Sequence, residues 1–258
     1  SLVVQSMPPM NGIVIALISA GCIASGTVAG LVLGRWLPAH HLRDDSKDAV
    51  KVAAGMISMM AALVLGLLVS SAKGNFDAMN VAITQSGAKV ILMDRLLANY
   101  GPETQPIRED LCATVAAGIA LLWSEEKAPS TTRENFEHFT AMEQVLEQVR
   151  NLQPLSNSQQ VLQEQVQNLG YEILLTRWVQ IEQARTSLPK VFLVILLGWL
   201  SLLYATFGLL APHNATVITV MFIGALALAM AMYLIVEMSQ PMQGAIKISS
   251  GPLRNALE

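Results

Sequence analysis

Four uninterrupted apolar runs constrain this chain more than any other feature of its sequence. None of them contains a charged residue, and they occupy residues 10–34, 52–72, 191–211 and 215–236. Each reaches or exceeds the ~20 residues that a helix needs to cross the hydrocarbon core of a bilayer. Because lipid offers the backbone no hydrogen-bond partners, each run is predicted to be a membrane-spanning helix.

The composition agrees with a membrane protein and argues against other classes. Charged residues make up 14% of the 258 residues, well below the ~25% that is usual in soluble domains. The net charge is −3 and no basic stripe is present, so nucleic acid is not an expected partner. The chain has no Walker loop, GxGxxG, CxxC, GxSxG or HExxH motif. We therefore expect no enzymatic activity, no cofactor and no metal site.

Basic residues predict how the spans are oriented. Four spans place both termini and the segment 73–190 on one side, and the loop 35–51 on the other. The first side carries seven basic residues near the membrane: Lys73, Lys89, Arg177, Arg185, Lys190, Lys247 and Arg254. The loop carries four, namely Arg35, Arg43, Lys47 and Lys51. Since cytoplasmic loops are enriched in Lys and Arg, we expect both termini and the segment 73–190 to be cytoplasmic, with the loop 35–51 on the opposite side of the membrane.

The polar segment 73–190 is predicted to be a helical cytoplasmic domain. Its apolar residues recur at intervals of three and four, which is typical of helices. One such stripe consists of Ile107, Leu111, Val115, Ile119 and Leu122. Helices are expected at about 75–100, 104–126, 133–151 and 158–187. The sequence leaves open whether the second span continues straight into the first of these helices, with Gly74-Asn75 as a weak point. The predicted fold is an all-α membrane protein with this domain inserted between spans two and three, and a cytoplasmic tail at 237–258.

Glycine occupies every fourth position in part of the first span, at Gly26, Gly30 and Gly34. This spacing leaves a flat groove on one helix face, where another helix can approach closely. The sequence leaves open whether that helix belongs to the same subunit or to a neighbouring one.

The second span has a face of small or weakly polar residues with a lysine near each end. We call it the small face, and it consists of Lys51, Gly55, Ser58, Ala62, Gly66, Ser70 and Lys73. In an oligomer this face is predicted to line a narrow pore, with the lysines attracting anions at the two mouths. Two alternatives stay open: lysines that merely snorkel at the interface, and a packing seam. In the second case a hydrophobic constriction forms on the opposite face, at Met56, Met59, Met60, Leu63 and Leu67.

Short motifs spread along the chain carry a family resemblance. Four of them are Gly34-Arg35-Trp36-Leu37-Pro38, Leu92-Met93-Asp94-Arg95, Tyr100-Gly101-Pro102-Glu103 and Thr176-Arg177-Trp178. Further matches are the tract at 61–67 and the tail motif Pro252-Leu253-Arg254. In this order they resemble the bestrophin-like family of bacterial membrane proteins, over essentially the whole chain.

The resemblance implies an oligomeric ion channel. Bestrophins are pentamers whose second membrane helix lines the pore, with a helical cytoplasmic region between spans two and three. By analogy, we expect a homo-oligomer, a pentamer in the leading interpretation, that sits in the lipid bilayer and conducts small inorganic ions. Because the family is bacterial, the expected location is the inner membrane, with the loop 35–51 in the periplasm. The acidic calcium clasp of the animal channels has no counterpart in this sequence. The alternative hypotheses are a proton-driven stator subunit and a non-conducting membrane scaffold.

Overall fold

Eight α-helices and a short 3-10 helix at Pro102–Thr104 account for nearly all of the residues that the computed structural model describes, namely 12–36, 44–123, 132–185, 190–212, 214–241 and 246–257. These residues contain no strand. In chain order the helices are α1 (Gly12–Trp36), α2 (Asp44–Tyr100), α3 (Gln105–Leu122), α4 (Thr132–Arg150), α5 (Asn157–Arg185), α6 (Lys190–Leu210), α7 (Ala215–Met238) and α8 (Gly251–Arg254).

The chain forms two compact units. The membrane unit comprises residues 1–75 and 188–240, and the insert unit comprises residues 76–187 and 241–258. Helices α1, α2, α6 and α7 are the four described helices that are long and apolar enough to cross a membrane. Their positions correspond to the four apolar runs, although residues 10 and 11 of the first run lie outside the described residues.

Helix α2 is one uninterrupted helix of 57 residues. It begins at Asp44, whereas the sequence predicts a loop at 35–51. Residues 35 and 36 belong to α1, residues 44–51 belong to α2, and residues 37–43 lie outside the described residues. Helix α2 also continues through Gly74-Asn75. The segment contains no proline, and a single glycine weakens a helix by only about 1 kcal/mol. The helix ends at Tyr100. Gly101 follows with a φ of +152°, a backbone conformation that favours glycine.

The core of the insert unit is built from the end of α2 together with α3, α4 and α5. The stripe predicted on α3 is confirmed for Ile107, Leu111, Val115 and Ile119, which are all buried, while the side chain of Leu122 lies outside the described part. Helix α4 adds Met142, Val145, Leu146 and Val149, and α5 adds Val166, Ile173 and Leu174. Each helix therefore buries one apolar stripe, as expected for a helical bundle.

The C-terminal segment 246–257 belongs to the insert unit. The indole Nε1 of Trp123 donates a hydrogen bond to the carbonyl oxygen of Ile248 at 2.8 Å, and the Ile248 side chain is buried. Leu253 packs against the core of the unit. The sequence predicts only a tail at 237–258, because so short a stretch carries little periodic signal from which packing could be inferred.

Candidate functional site

Glycines bring α1 into close contact with α6. A Cβ added at Gly26 would meet the carbonyl group of Ser201, and one at Gly30 would overlap the carbonyl group of Ala205. A Cβ at Gly34 would lie 3.2 Å from the carbonyl oxygen of Leu209. The groove predicted on α1 therefore faces a helix of the same chain, where the absence of side chains lets the backbones approach.

The opposite side of this contact depends on Gly208, which the sequence analysis did not single out. A Cβ at Gly208 would lie 2.5 Å from the carbonyl oxygen of Thr27 and 3.1 Å from the backbone nitrogen of Leu31. The other glycine of α6, Gly198, would place a Cβ within 4 Å of nothing. The two glycines lack the four-residue spacing of α1, so no sequence signal distinguishes the packed one from the open one.

Within the membrane unit, one face of α2 is buried against the rest of the chain. Ala54, Ala61, Leu68 and Ala72 are at most 6% exposed. Three of them are seven residues apart, the spacing of a seam between two packed helices. This face therefore fixes the rotation of α2 about its own axis, and with it the direction of the other two faces.

The residues of the small face lie next to one another on the surface of the chain. Six of its seven residues are exposed, and Ser58 is partly buried. A Cβ at Gly55 or Gly66 would meet nothing within 4 Å, so this strip is uncovered. At one end, Lys51 Nζ forms an ion pair with Asp48 Oδ1 at 2.9 Å, and at the other Lys73 also interacts within the chain. The predicted pore-lining role of these residues stays a prediction.

The large apolar residues of α2 point away from the buried face. A helix turns about 100° per residue, which places Met56, Leu63 and Leu67 roughly opposite Ala54 and Ala61. The whole set is between 55% and 77% exposed: Met56, Met59, Met60, Leu63 and Leu67. Helix α2 thus presents two uncovered faces along its membrane portion, one of small residues and one of large apolar ones.

Glu237 is a buried carboxylate near the end of α7. A Cβ at Gly12, the first residue of α1, would lie 2.7 Å from Glu237 Oε2. The carboxylate therefore stands beside the N-terminus of α1, where the helix dipole favours negative charge. Glu237 also has a further interaction within the chain, so the dipole is one of at least two contributions that stabilise the carboxylate there.

The insert unit holds a bidentate ion pair between α2 and α3. Arg108 Nε donates to Asp94 Oδ1 at 2.7 Å, and Arg108 Nη2 donates to Asp94 Oδ2 at 2.9 Å. The hydrogen bond to Asp94 raises the pKa of Arg108, and burial raises the pKa of the nearby Cys112 thiol. Among the described residues, no group of three or more His, Cys, Asp or Glu side chains could hold a metal ion.

Four apolar helices and a helical insert define a multi-pass, all-α membrane protein. A family model described as a Bestrophin-like domain matches residues 21–253, so the chain belongs to the bestrophin-like family. The family resemblance seen in the sequence is confirmed.

A solved structure supports the same fold. The chain is similar to the crystal structure of a bacterial bestrophin homologue from Klebsiella pneumoniae that carries a point mutation. The TM-score is 0.57 at 15% identity, and 95% of each chain is covered. At this identity the likeness shows the fold alone. No curated protein matches the chain.

Proposed function

We propose that the chain assembles into a homo-oligomeric ion channel, a pentamer by analogy with bestrophins, in which α2 surrounds the pore. The proposed location is the bacterial inner membrane, with both termini and the insert unit in the cytoplasm. The observation that carries this proposal is the pair of uncovered faces on α2. A helix that is packed on one side and bare on two others is suited to a ring of identical helices.

The geometry of α2 supports an arrangement for that ring. If the buried face of each copy points outward, the large apolar face points to the axis and the small face meets the neighbouring copy. Met56, Leu63 and Leu67 then form a narrow apolar constriction that gates by dewetting. Small residues such as Gly66 allow the close helix contact that the ring requires. The alternative arrangement has the small face on the axis, as the sequence analysis predicted.

Cysteine accessibility distinguishes the two arrangements. In a Cys22→Ala, Cys112→Ala background, Leu63→Cys and Gly66→Cys are treated with a charged, membrane-impermeant thiol reagent during current recording. We expect Leu63→Cys to lose current, and Gly66→Cys to form disulfide-linked dimers between copies on oxidation. Block of Gly66→Cys without block of Leu63→Cys would instead place the small face on the axis.

Conduction is tested by single-channel recording of the purified protein in planar bilayers under asymmetric KCl. We propose that anions are preferred, because Lys51 and Lys73 place a cation near each end of the membrane portion of α2. The Asp48 carboxylate offsets part of the Lys51 charge, and Lys73 also interacts within the chain. Lys51→Glu and Lys73→Glu are both expected to shift the reversal potential toward cation preference.

Arg150→Glu on α4 is the charge-matched control, since Arg150 is exposed on a helix outside the membrane unit, and we expect it to leave the reversal potential unchanged. If oligomeric protein carries no current at any voltage or pH tested, the proposal of a channel is contradicted. That result would favour a stator subunit or a membrane scaffold.

A further inference from the structure

The insert unit contains a small cavity that the proposed channel mechanism does not use. Its volume is about 60 Å³, and it lies among α2, α3, α4 and α5, with Leu253 of the C-terminal segment on one wall. Most of the lining is apolar, including Val90, Val115 and Ile173. A single water needs at least ~15 Å³ of such volume, so the cavity has room for one small ion with a partial hydration shell.

Arg177 of α5 is one of the residues that line this cavity. Within the described part of the chain, its guanidinium has no ion pair and no hydrogen bond. Burial lowers the pKa of Arg177, and no carboxylate among the described residues opposes the effect. Arg177 is partly buried. A cation that has lost part of its hydration without gaining a counter-charge is destabilised, and an anion beside it would reduce that cost.

Thr114 supplies a second donor to the same cavity. It is buried and lines the cavity from α3, and its hydroxyl has no hydrogen-bond partner among the described residues. The hydroxyl of Ser86, which also lines the cavity, already donates to the carbonyl oxygen of Ala82 at 2.9 Å. The cavity thus offers one cationic and one neutral donor, while no Asp or Glu is found among its described lining residues.

We propose that this cavity binds a small monovalent anion of the size of chloride, held by the Arg177 guanidinium and the Thr114 hydroxyl. The apolar walls and the small volume exclude strongly hydrated or larger anions such as sulfate and gluconate. Because the site lies in the insert unit, binding does not depend on conduction. The protein can therefore conduct ions without binding an anion in this cavity, and it can bind an anion there without conducting ions.

The test uses the full-length protein in detergent at constant ionic strength. Sodium gluconate is replaced stepwise by sodium chloride or bromide, and the thermal unfolding midpoint is measured. Since a ligand of the folded state stabilises it, we expect a rise that saturates with chloride or bromide. Arg177→Gln should abolish the rise, and Thr114→Val should weaken the apparent affinity by roughly tenfold. The exposed Arg150→Gln is the matched control and should retain the rise.

A crystal of the full-length protein soaked in bromide gives an independent readout. An anomalous peak between Arg177 and Thr114 supports the proposal, even where Arg177→Gln fails to fold. A cavity without that peak overturns it. Equal midpoints in gluconate, chloride and bromide for the unmutated protein also overturn it, as does a rise that folded Arg177→Gln retains.

Discussion

At the scale of single residues, Gly30 and Gly21 lie on the same helix in opposite surroundings. A Cβ at Gly30 would overlap the Ala205 carbonyl, whereas a Cβ at Gly21 would meet nothing within 4 Å. Gly30→Ala therefore forces α1 and α6 apart, and we expect a loss of about 1–3 kcal/mol, as for other overpacked contacts. Thermal unfolding in detergent should show a lower midpoint for Gly30→Ala and an unchanged or higher one for Gly21→Ala. Equal midpoints would contradict the close contact.

The contribution of Arg108 to the free energy of unfolding depends on the geometry of its side chain as well as on its charge. It makes two parallel hydrogen bonds to Asp94, and a lysine cannot reproduce that fork. Because both side chains are only about one-third exposed, we expect Arg108→Lys to cost roughly 1 kcal/mol. Arg150→Lys, at an exposed position, is the control and should be neutral. Chemical denaturation gives the free energy of unfolding of both variants. If Arg108→Lys and Arg150→Lys change it equally, only the charge matters at Arg108.

At the scale of elements, α2 carries two interior glycines for which alanine should have opposite effects. Alanine favours a helix over glycine by about 1 kcal/mol. A Cβ at Gly74 meets nothing within 4 Å, while a Cβ at Gly87 would lie 2.6 Å from the Pro252 carbonyl oxygen. We expect Gly74→Ala to raise the unfolding midpoint and Gly87→Ala to lower it. A rise for both would mean that the Pro252 segment moves away easily.

The helices themselves were largely predictable from the sequence, and the reasons are visible in particular residues. Apolar runs without charges locate the membrane helices, and the stripe from Ile107 to Ile119 identifies the buried side of α3. The start of α2 at Asp44 was missed, because its first turns are polar and lack an apolar stripe. The glycine spacing on α1 indicated a close contact, but only the structure shows that Ala205 of the same chain lies opposite Gly30.

At the scale of the whole molecule, the functional faces were harder to predict than the helices. Sequence periodicity shows that α2 has a small face and a large apolar face, but not which face the chain itself covers. The buried face includes Ala54 and Ala61, and the small face is also made of small residues. Residue type alone therefore does not distinguish the buried face from the small face. Similarly, Arg177 is one of many basic residues in the sequence, and only the packing places it in a cavity.

The C-terminal segment packs against parts of the chain that are far from it in sequence, within one folded unit. Residues 246–257 follow the last membrane helix, yet Ile248 accepts a hydrogen bond from Trp123 and Leu253 packs on the core of the insert unit. Removing residues 246–258 should expose that apolar core to water and lower the unfolding midpoint of the full protein. Trp123→Phe removes only the hydrogen bond, so we expect a smaller loss of about 1 kcal/mol.

The control for this prediction is an apolar residue that contributes no packing. Leu155 is 92% exposed, and Leu155→Ala should leave the midpoint unchanged. Hydrogen exchange adds a spatial readout: in the truncated protein, protection should fall around Gly87 and Trp123, which contact the segment. Unchanged protection there would mean that the segment rests on the insert unit without stabilising it. Gly87 and Ile248 belong to the same folded unit, although more than 150 residues separate them. A fall in protection confined to those contacts would therefore show that the segment 246–257 completes the core of that unit.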